Sequence, residues 1–196
     1  MALLNGLDPT KIMRGMPLRV YIDPTFNSDG TVTLGTGGLL DSSAHANAVE
    51  LGYTQDGAEL TVSRTTEDLP VDQRNNNILM SLTGQEPHLR VGYLQVRDWA
   101  VLTKLQPGTS LQSGAGFVGI SDQTDQTITA RGVCAVAPTP NDATKYQVLI
   151  VYSCYNVADL VLKLSKEYNK TPLDFKGQDA GRADGKTWFA YHTVAV

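Results

Sequence analysis

The sequence predicts an all-β fold (β-rich α+β) with one short helix. Three observations carry this. Apolar runs are short and tend to alternate with polar residues, eighteen glycines and nine prolines interrupt them at close intervals, and long helical periodicity is nearly absent. A chain of 196 residues suits a single domain, expected over 18–196 behind an N-terminal arm at 1–17 that carries Met13 and Met16. Long loops are expected near 24–45, 66–84 and 107–126.

Leu18 to Asp23 reads as the first strand, closed by Pro24 and the turn set Asn27-Ser28-Asp29-Gly30. Thr31 to Ser43, rich in Gly, Ser and Thr, reads as loop or weak edge. Val49, Leu51 and Tyr53 then alternate with polar or small residues, and after Gln55-Asp56-Gly57 so do Leu60 and Val62. That pattern predicts a hairpin with one apolar face and one wet face, turned at the Asp-Gly step. Its wet face carries hydroxyls and carboxylates and no lysine. Arg64 falls on the apolar side, which predicts a bulge or strand end there. Thr66 to Gly84 reads as a long polar connection, because three successive asparagines, Asn75 to Asn77, cannot be buried without partners. Within it, Ile78 to Leu82 reads as a short strand.

Leu89, Val91 and Tyr93 resume strand alternation. Asp98 is an N-cap for a helix with Trp99, Leu102 and Leu105 on one side and Pro107-Gly108 as its stop. After a Gly/Ser/Thr-rich connection, strands are expected at Thr127–Val136, Tyr146–Tyr155, Val157–Lys166, Leu173–Gly177 and Trp188–Val194. Val148 to Tyr152 is apolar on both faces and belongs in the middle of a sheet. Gly181 to Gly185 reads as the last hairpin turn.

Composition excludes several functions. Sixteen basic against twenty acidic residues give a net charge of −4, without the basic excess of a protein that grips phosphates. The longest clean apolar stretch is far too short to span a bilayer, and the N-terminus reads as no secretory signal, so a reducing cytoplasm is the expected site of synthesis. Cys134 and Cys154, twenty residues apart, match no zinc pattern, and Cys154 sits in an apolar run as a small core residue. His45, His88 and His192 are scattered and read as surface or strand-end residues. Gly114-Ala115-Gly116-Phe117-Val118-Gly119 spells G-x-G-x-x-G, but its flanks are polar and β-prone, where a dinucleotide site needs a buried strand before it and a helix after. Catalytic, metal and cofactor-binding residues are therefore expected to be none, and the chain is not expected to be an enzyme.

Leu51-Gly52-Tyr53-Thr54-x-Asp56-Gly57, followed by Val71-Asp72-Gln73, resembles the major tail proteins, or tail tube proteins, of long-tailed bacteriophages. Gly84-Gln85-Glu86 leading a strand and Arg97-Asp98-Trp99-Ala100-Val101-Leu102 opening the helix are similar as well. Leu162-Lys163-Leu164-Ser165-Lys166, then Thr171-Pro172-Leu173-Asp174-Phe175-Lys176, and Trp188-Phe189 follow the order of that family's closing strands. The resemblance covers roughly 18–24 and 48–194. The chain departs from the family in its long Gly/Thr-rich stretch 108–142 and in extra loop at 25–44.

The resemblance implies two packed antiparallel sheets flanked by one short helix, assembled as stacked hexameric rings around a channel through which DNA is ejected into the host. The partners it implies are other copies of the chain and the tail tip, tape measure and terminator proteins, with DNA passing without specific binding and no membrane anchor. The implied location is the virion tail, assembled in the host bacterial cytoplasm. A channel in which DNA must slide favours hydroxyls and carboxylates over lysines. Glu50, Glu59, Thr61, Ser63 and Thr65 are accordingly expected to face the lumen, the alternative being an ordinary solvated sheet face. Asp72, Gln73, Arg74, Asn75, Asn76 and Asn77 are expected to form an inter-subunit loop. Two other functions stay open: a tail-terminator, neck or head-decoration protein, and, more distantly, a carbohydrate-binding β-sandwich using Tyr152, Tyr155, Trp188 or Tyr191.

Overall fold

The computed structural model describes residues 18–51, 54–69, 79–93, 99–122, 128–139, 142–161 and 171–193. The strands are β1 (Arg19–Ile22), β2 (Val49–Glu50), β3 (Thr54–Leu69), β4 (Leu79–Tyr93), β5 (Thr109–Gly114), β6 (Phe117–Asp122), β7 (Arg131–Thr139), β8 (Asp142–Asn156), β9 (Thr171–Gly177) and β10 (Trp188–His192). One α-helix, α1 (Trp99–Leu105), separates β4 from β5. The fold is all-β, with two antiparallel sheets and one short α-helix among the described residues. The sheets are unequal: eight strands run β2-β1-β7-β8-β9-β4-β3 with β10 also on β8, and β5-β6 form a separate hairpin.

Strand alternation gives the large sheet two covered faces. On β1 and β7, Val20, Ile22, Val133 and Ala135 point to the side that also buries Val101, Leu102 and Leu105 of α1. Their neighbours Tyr21, Cys134 and Val136 point the other way, against Val32, Leu40 and Phe26 of the segment after β1. β8 is central, as its doubly apolar run predicts: Val148, Ile150 and Val151 are fully buried. It pairs with β10 over Gln147–Val151 and with β9 over Cys154–Asn156. Between those stretches its register with β7 shifts, a bulge that turns Cys154 onto the helix-covered face, opposite to Tyr152.

The first strand, the turn at Asn27–Gly30 and the helix fall where expected; Gly30 adopts φ 90 and its N–H donates to the Asn27 carbonyl. Several expectations are corrected. The hairpin of 48–54 with 59–65 does not form: Val49–Glu50 pairs with β1, whereas β3 pairs with β4 along its whole length. Asp56-Gly57 lies within β3 as a register irregularity, with Gly57 at φ 78, because a positive-φ glycine serves a bulge as readily as a turn. The strand irregularity foreseen at Arg64 falls between Thr65 and Thr66. Of the connection expected at 66–84, residues 66–69 and 79–84 are strand, since β3 runs to Leu69 and β4 starts at Leu79, and 70–78 lie outside the described residues.

The connection expected at 107–126 contains the β5–β6 hairpin, and the G-x-G-x-x-G segment spans its turn, Ala115-Gly116, with Gly116 at φ 87. Residues 157–161 carry no strand, and 162–166 lie outside the described residues. The turn at Gly181–Gly185 joins two strands that pair with β8, not with each other. The N-terminal arm also lies outside the described residues.

Candidate functional site

The wet surface of β4, β9 and the body-proximal part of β3 is built in rungs. Glu59 stands opposite Arg90, which stands opposite Asp174; Thr61 stands opposite His88, which stands opposite Lys176; Ser63 stands opposite Glu86. The intervening residues Leu60, Leu89 and Phe175 point to the core side under α1. This alternation is why a face of hydroxyls and charges lies back to back with the core.

The charged groups are tied to one another. His88 Nδ1 is 2.8 Å from Asp174 Oδ1 and its Nε2 is 2.9 Å from Glu86 Oε1. Lys176 Nζ reaches the same Glu86 oxygen at 2.9 Å, Arg90 Nε donates to Asp174 Oδ2 at 3.2 Å, and the Thr61 hydroxyl donates to Glu59 at 3.2 Å. Ionised carboxylates only accept hydrogen bonds, so His88 makes both of its contacts as donor only as the imidazolium. Accordingly the Glu86 contact, helped by Asp174 and opposed by burial, raises the His88 pKa above its ordinary value. His88, followed by Lys176, lowers that of Glu86, and Glu86 raises that of Lys176.

Of the residues expected to face a lumen, Glu59, Thr61, Ser63 and Thr65 lie on one strand, β3, and share a face. Glu50 does not join them. It sits on β2, at the far end of the strand order, paired with Arg19 at 3.0 Å. β4 and β9 bring the cations Arg90, His88 and Lys176 to the same face, which the pattern of β3 alone does not show. Asp72, Gln73, Arg74, Asn75, Asn76 and Asn77 lie outside the described residues.

β3 has a second property that the alternation pattern did not show. β9 accompanies β4 only from Tyr93 to His88. Beyond that rung, among the described residues, Val62–Leu69 and Leu79–Pro87 have no strand partner but each other and form a two-stranded ribbon on which Leu82 is half exposed. Among the described residues no strand pairs with the outer edge of β3 anywhere along its sixteen residues. A terminal strand of this length is a template for pairing with another chain, and a two-stranded ribbon alone is marginal in water.

The remaining candidates are structural. His45 is buried, not on the surface: its Nδ1 accepts from the Thr25 N–H at 3.0 Å, so its Nε2 donates to the Thr33 carbonyl at 2.9 Å. It stitches the segment after β1 together from inside. His88 is mostly covered by its partners, and His192 is exposed at the end of β10, as expected. Both cysteines are free and buried, which pushes their thiols far above the ordinary range. Tyr152 is buried, with its hydroxyl donating to the Gly30 carbonyl at 2.8 Å and Arg182 over its ring, and Tyr191 is half-buried, bonded to Val32 and packed beside Phe189.

A cavity of about 310 Å³ lies between the end of α1, β5 and β8, lined by residues such as Gln106, Arg131, Cys154 and Phe175. Among the described residues no group of three or more His, Cys, Asp or Glu side chains is arranged to hold a metal ion, and no helix is long and apolar enough to cross a membrane. No protein-family model matches the chain, and no curated protein matches it in sequence.

Proposed function

We propose that this chain is a structural virion protein that polymerises as stacked hexameric rings to form a phage tail tube, the channel for DNA ejection. The observation that supports this best is the outer edge of β3, beside which no other strand lies among the described residues, extended past the body as a two-stranded ribbon. A sheet edge adds backbone hydrogen bonds when a second copy lies beside it, and the charges of Glu59, Arg64 and Glu67 along β3 restrict which neighbour and register fit. The resemblance in the 51–73 and 97–102 segments supports the same reading.

The lumen surface in this reading is the ladder of Glu59, Thr61, Ser63 and Thr65 with its β4 and β9 neighbours. Arg90 and Lys176 are each already held by a carboxylate, so the face offers phosphates little free positive charge. DNA then slides without being gripped. Tail tip, tape measure and terminator proteins would meet the ends and interior of such a tube, and the virion tail would be its location.

Sedimentation velocity across a concentration series tests the proposal. Open-ended growth into ever larger species is the expected result. A single closed ring that never stacks would favour a terminator, neck or head-decoration protein, and a monomer at every concentration would favour a binding module.

A further inference from the structure

His88 occupies a special place in the ladder. Its rung, His88 with Lys176, is the last one at which β9 still accompanies β4. One residue on is Pro87, which has no N–H to give to a neighbour, and Gly177, where β9 ends, packs so closely on the Pro87 ring that a side chain there would collide with it. Glu86 is the first wet-face residue of the ribbon proper. The imidazole therefore bridges the ribbon, through Glu86, and the three-stranded body, through Asp174.

We propose that His88 is a proton-operated latch at the base of the β3–β4 ribbon. Protonated, it donates to Glu86 and Asp174 at once and holds the ribbon in line with the sheet. Deprotonated, it keeps one donor, and the other nitrogen turns a lone pair towards a carboxylate less than 3 Å away. That contact becomes repulsive, and one of the two ties is lost.

The other groups facing the ring set the balance. On its own strand they are Glu86 and Arg90, on β9 Asp174 and Lys176, and on β3 Glu59 with the hydroxyls of Thr61 and Ser63. With the ring protonated, the three acids Glu59, Glu86 and Asp174 are matched by three cations; without the proton the face is left with one uncompensated negative charge. Arg90 and Lys176 hold the same two carboxylates in both states, so loss of the proton loosens the ribbon without detaching it. The latch is a property of the single chain and does not depend on the tail-tube reading.

Hydrogen exchange read by mass spectrometry on the full chain tests it, with rates corrected for intrinsic pH dependence. Protection of peptides from 62–69 and 79–87 is compared with that of β7 and β8 in the same sample. Raising the pH through the imidazole titration should speed ribbon exchange by up to about fivefold relative to β7 and β8, the factor a partly exposed ion pair supplies. In His88→Gln, which carries no titrating proton, that pH dependence should vanish. Ribbon protection that is independent of pH, or that changes equally in His88→Gln, would overturn the proposal. Proton NMR of the His88 ring in wild type and in Glu86→Gln gives a second readout: the ring should titrate at lower pH in the variant, and an unchanged titration would also overturn it.

Discussion

His88 Nδ1 and Asp174 Oδ1 stand 2.8 Å apart across the seam at which the three-stranded part of the sheet becomes a two-stranded ribbon. The contact joins residues 86 apart in the chain on the surface that carries the proposed function. Its charge has a direction with pH. Folding raises the ring's pKa above the ordinary 6.5, so the stabilisation is complete below that value and is lost as pH rises through the raised one. At the acid end Glu86, lowered from 4.5, withdraws its share as pH falls through its own lowered value. Urea unfolding should show wild type exceeding His88→Gln by about 1 kcal/mol near pH 6, with the difference shrinking towards pH 9. A constant difference across that range would contradict the assignment.

His45 should matter more for stability than any histidine on the wet face. Truncation to alanine leaves the Thr25 N–H and the Thr33 carbonyl without partners in a buried site and opens a void. The expected loss is about 2–4 kcal/mol, measured by denaturant unfolding with the slope unchanged.

Tyr152 anchors the turn after β1 through its bond to the Gly30 carbonyl, with the Phe26 ring edge-on at 4.9 Å and Arg182 stacked over it at 4.3 Å. Burial pushes its hydroxyl up to about 12. Tyr152→Phe should cost about 1 kcal/mol, because only the hydrogen bond goes. Gly30→Ala should cost more, since a Cβ at φ 90 would run into that same hydroxyl. Thermal melts of the two variants should rank in that order.

Charge on the proposed lumen is testable by contrast. Glu59→Lys adds a cation to the ladder beside Arg90, whereas Glu50→Lys adds one at the far end of the sheet. DNA retention by the assembled protein should rise for Glu59→Lys and fall again with added salt, and should stay at the wild-type level for Glu50→Lys. Equal effects of the two substitutions would place the lumen elsewhere.

Local pattern made much of this fold legible and left its pairing hidden. The alternation in Leu60, Val62, Leu89 and Val91 told which side of each strand is apolar, and the double-faced run at Val148–Tyr152 told which strand is central. Helix boundaries followed from Trp99, Leu105 and Pro107-Gly108. None of these signals names a partner strand. Val49–Glu50 and β3 therefore looked like one hairpin although they lie far apart in the strand order, and Glu50 was grouped with a face it does not share. The cations of the ladder were missed for the same reason: Arg90, His88 and Lys176 reach it from strands whose register is set by long-range packing. His45 looked like a surface residue because nothing in the flanking Ala44 and Ala46 reveals that its ring closes over Thr25 and Thr33.

Negative-stain electron microscopy of the purified chain across a concentration series tests the assembly claim most directly. Stacked rings or hollow filaments, lengthening with concentration, are the predicted result. Single closed rings that never stack, or monomers at every concentration, would contradict it.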